Sequence, residues 1–363
     1  MTKIQAVGAN GGAEALRRFS LFSDFTAEEL ADIEFLARPI TIPAGQTLFQ
    51  QGDAPDGMYL VQQGVVGITA RLPGDEVVEL GRLGAGELIG EVSLVDHSVR
   101  TASAMVLEDM AGYFFSQIHF GMLQYDLRSS AFRAMNKITL ILCLRIRGMI
   151  REIKETLPIK KEMEDQQFHL TRKKARHPKP LTGKRDLNPD LLRQLPLFED
   201  FTDADFETFL PSLKCHYLKR GKKLYDEGDP PDKCYLVIRG ALRLYVSAKG
   251  TSEQLMILGP GQIAGDIAMM DGGPQPASCE VREHSIVLEM PKKVFDRYHA
   301  TSESAGFKFF TAVNRSLVGK LRKSVRNTAR LASQGRISLG NRGGYRLPAK
   351  KAAGSLYPPD PVH

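Results

Sequence analysis

Between Ile40 and Phe115 the apolar residues fall in short β-prone runs, such as Met58-Tyr59-Leu60-Val61 and Val65-Val66-Gly67-Ile68-Thr69. Each run is closed by turn residues, among them Pro43, Gly45, Gly52, Gly64, Gly74, Gly81, Gly84, Gly86 and Gly90. Short strands punctuated in this way predict a small all-β barrel or jelly roll. The period changes on both flanks. Thr26–Leu36 opens with Thr26 and places Glu29 three residues later, the spacing of a capping box at a helix start. From Leu127 to Leu157 glycine occurs only at Gly148, and no proline intervenes before Pro158. Its apolar residues Met135, Ile138, Leu142, Ile146, Met149 and Ile153 are spaced 3, 4, 4, 3 and 4, close to a heptad seam. This predicts a long helix through which two copies would dimerise, unless the stripe packs on its own barrel.

The same pattern then repeats. Leu21-Phe22-Ser23-Asp24-Phe25 returns 176 positions later as Leu197-Phe198-Glu199-Asp200-Phe201. Gly52-Asp53, Tyr59-Leu60-Val61 and Gly64 return as Gly228-Asp229, Tyr235-Leu236-Val237 and Gly240. Gly84, Gly86 and Gly90 return as Gly259, Gly261 and Gly265 at an offset of 175. A looser helical stripe, Phe310, Val313, Leu317, Leu321 and Val325, closes the second copy. A period this long is a duplicated domain, not a solenoid.

The expected organisation follows. A disordered N-terminus (1–15) leads to a first domain (16–126) and its long helix (127–157). A basic linker (158–190) precedes the second domain (191–302), its C-terminal helix (303–333) and a basic disordered tail (334–363). The fold class is α+β, with two barrels flanked by helices.

Composition narrows the function. The 363 residues are 42% hydrophobic and 25% charged, ordinary globular values. The longest apolar run, Leu140–Leu144, is far short of the roughly 20 residues that cross a bilayer, and the N-terminus has no apolar signal core. Four scattered cysteines form no C-x-x-C pair, so a reduced cytoplasmic protein without a metal is expected. The net charge of +7 is unevenly placed: 1–126 carries 7 basic and 17 acidic residues, whereas 315–351 carries 11 basic and none acidic. Such a segment attracts nucleic acid or anionic surfaces, yet Gly340, Gly343, Gly344 and Pro348 leave no room for a helix-turn-helix. Arg17-Arg18-Phe19-Ser20 has the look of a kinase site, but it aligns with Arg193-Gln194-Leu195-Pro196 and reads as a helix face. No catalytic constellation is evident, and the histidines show no metal-ligand spacing.

The informative stretch is Gly86-Glu87-Leu88-Ile89-Gly90-Glu91-Val92-Ser93-Leu94, followed by Arg100-Thr101-Ala102-Ser103. A buried arginine donates two parallel charge-assisted bonds to a phosphate, a carboxylate accepts from a sugar hydroxyl, and a glycine admits close backbone approach. The stretch resembles the phosphate-binding cassette of cyclic-nucleotide-binding domains, the superfamily of the bacterial cAMP receptor protein and the regulatory subunit of cAMP-dependent protein kinase. The nine-residue separation of Glu91 and Arg100 fits that family. The resemblance implies a β-roll, with Glu91 on the ribose hydroxyl and Arg100 on the cyclic phosphate. Gly90, Val92, Ser93, Thr101 and Ala102 would complete the site for cAMP or cGMP. In the second copy Gly265 is kept, but Asp266 replaces the glutamate, Gln275 the arginine and Pro276 the threonine, so that site is expected to be dead for cyclic nucleotides.

The expected protein is a non-enzymatic regulator that binds a cyclic nucleotide in its first domain and signals by conformational change to a protein partner. Two alternatives stand beside it: a transcriptional regulator of the same family touching DNA through its basic segments, and an interaction scaffold that binds no nucleotide.

Overall fold

A computed structural model describes residues 12–72, 75–96, 98–125, 129–157, 189–300 and 304–334. Most of the basic linker and tail, and His97, lie outside the described residues. The chain divides into two compact units, residues 1–149 with 317–363, and residues 150–316.

The first unit opens with α1 (Gly12–Arg17) and α2 (Ala27–Leu36). Helix α1 begins inside the segment expected to be unstructured, because Leu16 is fully buried. The capping box forms as expected: Thr26 Oγ1 accepts from the Glu29 amide at 3.2 Å, and Glu29 Oε2 accepts from the Thr26 amide at 2.9 Å. The strands are β1 (Ala37–Ile42), β2 (Thr47–Phe49), β3 (Gly57–Arg71), β4 (Val77–Leu83) and β5 (Leu88–Ile89). After the short α3 (Glu91–Asp96) comes β6 (Ser103–Ser116), then α4 (Gln117–Tyr125) and α5 (Ser129–Glu155), of which the part up to Met149 belongs here.

All pairing is antiparallel, in the order β1-β6-β3-β4, with β2 on β6 and β5 on β3. The long β3 shifts register against β6 between Val61 and Val66. Gly64 sits in that stretch at φ +96, pressed against the Asp109 and Met110 backbone where no Cβ fits. Such bulges bend a strand so that one sheet can roll up on itself. Inside the roll Ile40, Ile42, Val61, Val66, Val106 and Met110 form a buried apolar core.

The second unit repeats the path. Helices α6 (Pro189–Arg193) and α7 (Asp203–Phe209) precede β7 (Lys214–Leu218), β8 (Lys223–Tyr225) and β9 (Lys233–Arg239). Strands β10 (Leu242–Ala248), β11 (Thr251–Leu258) and β12 (Ile263–Ala264) lead to the short α8 (Asp266–Asp271). Then come β13 (Ser278–Val281), β14 (Ser285–Pro291), α9 (Lys292–Ala300) and α10 (Ser304–Ser333). The orders β11-β10-β13-β8 and β12-β9-β14-β7 reproduce the pairings of the first unit, with β3 and β6 each split in two. Gly240, the counterpart of Gly64, has φ +92 and marks the split. Each unit is thus a β-roll with flanking helices, and the Leu-Phe-x-x-Phe repeat gives each the same edge-to-face pair, Phe22 on Phe25 at 5.3 Å and Phe198 on Phe201 at 5.2 Å.

Two expectations are refined. The six seam residues of α5, Met135 to Ile153, are all buried within the single chain. The stripe is therefore covered by packing within the chain, the alternative to a dimer seam that its spacing left open. Helix α10 forms as one element, but its portion from Leu317 onward belongs to the first unit.

Candidate functional site

In the first unit, β5 ends at Gly90, whose φ of +82 is the left-handed turn that admits glycine with little strain. A side chain at this position would collide with the Arg100 guanidinium. The turn swings Glu91 inward as the first residue of α3, where it is fully buried. Arg100 reaches the same place from the other side. Its backbone is pinned by the bonds Gly52 N–H to Arg100 O and Arg100 N–H to Asp53 O, each 2.9 Å.

The Arg100 side chain is also buried. Nη1 donates to Gly90 O at 2.9 Å, while Nη2 donates to Gly57 O at 2.7 Å and to Asp56 Oδ1 at 2.5 Å. The guanidinium carbon lies 4.1 Å from the centre of the Phe49 ring. Removing such a charge from water without these partners would cost several kcal/mol (about 3–5 for a broken buried pair). Glu91 meets Arg145 of α5: Arg145 Nη1 pairs with Glu91 Oε1, and Nη2 donates to Leu88 O at 2.7 Å. Nearby, burial, followed by the Asp56 carboxylate, pushes the Tyr59 hydroxyl up to about 12.

All seven residues singled out in the sequence, Gly90, Glu91, Val92, Ser93, Arg100, Thr101 and Ala102, line one open cleft. Phe49, Ile68, Leu83 and Ile89 supply an apolar wall, and Arg145 completes the rim. Among the described residues, two buried polar atoms of this lining have no hydrogen-bond partner: Arg100 Nε, a donor, and Glu91 Oε2, an acceptor. Buried groups of this kind normally find partners. One cleft therefore offers a cationic donor and an anionic acceptor on two sides of a small volume.

Sequence reasoning missed Asp56, Phe49 and Arg145. Signals were present: Asp56 returns as Asp232 at offset 176, and Arg145 returns as the basic Lys320 at offset 175.

The second unit keeps the frame and loses the chemistry. Gly265 has φ +89, Gly228 N–H donates to Gln275 O at 2.9 Å, and Gln275 N–H donates to Asp229 O at 2.8 Å. Asp266 is buried, with Oδ1 accepting from the Ile267 amide at 3.0 Å and Oδ2 from Ser316 Oγ at 3.0 Å. Gln275 fills the arginine position, buried, with its Oε1 unpartnered among the described residues. Pro276 follows without an amide hydrogen. Among the described residues no group of three His, Cys, Asp or Glu could hold a metal ion, and no helix is long and apolar enough to cross a membrane.

These features agree with the comparisons to known proteins. Residues 39–123 and 215–302 each match the cyclic nucleotide-binding domain family. The chain thus carries two domains of the cyclic nucleotide-binding family in tandem. It is similar to the cyclic AMP receptor protein of Thermus thermophilus, 43% identical over 67 residues, 18% of this chain and 31% of that one. It is similar also to the cAMP-dependent protein kinase type II regulatory subunit of Drosophila melanogaster, 43% identical over 60 residues, 16% of this chain and 15% of that one. The chain thus spans less than a third of the length of either relative. Among solved structures, the cAMP-bound regulatory domain of Toxoplasma gondii PKA aligns over 80% of this chain and 93% of its own, at 15% identity and a TM-score of 0.30.

Proposed function

We propose that the first unit binds one molecule of cAMP or cGMP and that the second binds none, making the chain a regulator with a single live nucleotide site. The observation that carries this reading is the pair of unpartnered buried atoms on one cleft. A cyclic phosphate brings an anionic acceptor for Arg100 Nε. The ribose 2′-hydroxyl brings a donor for Glu91 Oε2. The base then lies on the apolar wall around Ile68, Leu83 and Ala102. Each partner answers a group left unsatisfied by the fold, and desolvated charge-assisted bonds are the strong ones.

The signal would leave through α5. Arg145 holds the other oxygen of Glu91, so a ligand that engages Glu91 acts on the helix that carries Arg145. Ligand shifts a conformation only by its differential affinity for two arrangements, and this ion pair gives such a difference a place to arise. A partner protein reading the position of α5 would complete the pathway.

Calorimetric titration of cAMP and of cGMP into the full chain, repeated with Arg100→Gln, is the test. One site per chain, abolished by the substitution, is the expected result. Two sites would overturn the reading of Gln275, and no heat with either nucleotide would leave the protein a scaffold.

A further inference from the structure

The loop that joins α3 to Arg100 is held by a residue more than 220 positions away in the chain. Arg322, in the part of α10 that belongs to the first unit, donates through Nη2 to Asp96 Oδ2 at 3.1 Å and Oδ1 at 3.3 Å. The same nitrogen bonds Ser98 Oγ and donates to Val99 O at 3.2 Å, and Nη1 reaches Val99 O at 3.3 Å. Three successive described groups ahead of Arg100, a carboxylate, a hydroxyl and a carbonyl, thus converge on one guanidinium. The ion pair is mostly shielded from water, with the two side chains 20% and 15% exposed. Ser98 is folded back on Asp96 as well, its hydroxyl donating to Oδ1 at 2.7 Å and its amide at 3.1 Å.

The same stretch of helix carries an apolar seal. Val325 and Ala329, three and seven residues beyond Arg322, pack with Ala70, Leu80 and Ala102 and with Ile68. Ala102 and Ile68 are themselves lining residues of the cleft. A mere surface ion pair contributes little, but a planar fork gripping three groups of one loop, next to a buried apolar contact, fixes geometry.

We propose that Arg322 is a positioning residue for the first site: it latches Leu317–Ser333 onto the loop ahead of Arg100 and so sets how firmly the cleft holds a cyclic nucleotide. This rests on the reading of that cleft as the nucleotide site. Arg100 is placed by its own backbone bonds to Gly52 and Asp53, and the latch keeps the preceding loop from pulling that segment away. Ligand bound at Arg100 in turn steadies the latch, since coupling between two groups is reciprocal.

Two measurements on the full chain test the proposal. In the ligand-free protein, hydrogen exchange of peptides covering Asp96–Ser103 is expected to quicken in Arg322→Ala, because the Asp96 carboxylate that accepts from the Ser98 amide is no longer held. In titrations, the Kd for cAMP or cGMP is expected to rise roughly ten-fold in Arg322→Ala, mainly through faster dissociation, with Arg322→Lys recovering part of the loss. Arg326→Ala removes an equal charge from an exposed position one turn on and is expected to change neither readout. Unchanged exchange in Arg322→Ala overturns the latch, as does an equal loss of affinity in Arg326→Ala. If Arg322→Ala fails to fold, Arg322→Gln serves with the same outcomes. Should the wild-type chain bind neither nucleotide, the reading of the cleft falls, while the exchange experiment still decides whether Arg322 holds the loop.

Discussion

Glu91 and Arg100 are buried charges that the fold satisfies only in part. Arg145 takes one oxygen of Glu91 and leaves the other open. Glu91→Gln keeps the shape and removes the charge, so nucleotide Kd should rise about ten-fold while thermal stability changes little, as a charge-assisted bond is replaced by a neutral one. Arg145→Ala should do the reverse of that split. It leaves Glu91 as a buried anion without its cation, which costs about 3–5 kcal/mol and shows as a clear fall in Tm. Titration and melting of the two variants side by side check the pair, and equal melting temperatures would refute it. At this scale much was legible in advance. The cassette residues are contiguous in two short stretches, so their spacing alone groups them. Arg145 and Asp56 come from distant elements, and only the folded chain shows that they touch the same charges.

Helices impose a different limit on reading. The capping box at Thr26 is local, and it forms as its sequence dictates. The stripe on α5 announces an apolar face but not what covers it, because heptad spacing serves a coiled coil and a docked helix alike. Beside the buried stripe, a polar set ties α5 into the first unit: Lys137 Nζ donates to Asp24 Oδ2 at 2.9 Å, Arg133 Nη1 to Asp24 O at 2.7 Å, and the buried Ser130 Oγ to Asp32 Oδ2 at 2.8 Å. Burial works against the Asp24 carboxylate, yet Lys137, helped by Arg133, holds its pKa below 3.8. A carboxyl whose pKa is depressed on folding stabilises the fold above its unfolded pKa, and that share is lost as pH falls through the folded value. Asp24→Asn should therefore cost about 0.5–1 kcal/mol near neutrality, the modest size reflecting partial exposure. The gap in Tm between wild type and variant should narrow as the pH falls below the ordinary carboxyl value of 3.8 and close once the folded carboxyl is protonated. A gap that does not narrow as the pH falls would show that Asp24 contributes through packing rather than charge.

Across the whole molecule, duplication is the plainest feature of the sequence, and the two rolls follow it strand for strand. The return of the last turns of α10 to the first unit is not legible in this way, because no repeat register marks a contact such as Arg322 with Asp96. The duplication also makes a sharp experiment available. The second unit holds Gln275 by the backbone bonds that hold Arg100 in the first, to Gly228 and Asp229 in place of Gly52 and Asp53. It retains Gly265 in the same left-handed turn, and Asp232 and Lys233 stand where Asp56 and Gly57 offer Arg100 its carboxylate and carbonyl. An arginine introduced at 275 thus finds acceptors waiting, and a threonine at 276 restores the missing amide donor. The double variant Gln275→Arg, Pro276→Thr should bind a second cyclic nucleotide more weakly than the first, since Asp266 is a methylene shorter than Glu91 and already bonded by Ser316. Calorimetry should then read two sites per chain in place of one, with Arg100→Gln in the same background isolating the new site. If the count stays at one although the variant folds, the second unit has lost the space for a nucleotide as well as the charge, with Tyr225, half-buried where the first unit has Phe49, the first residue to cut back.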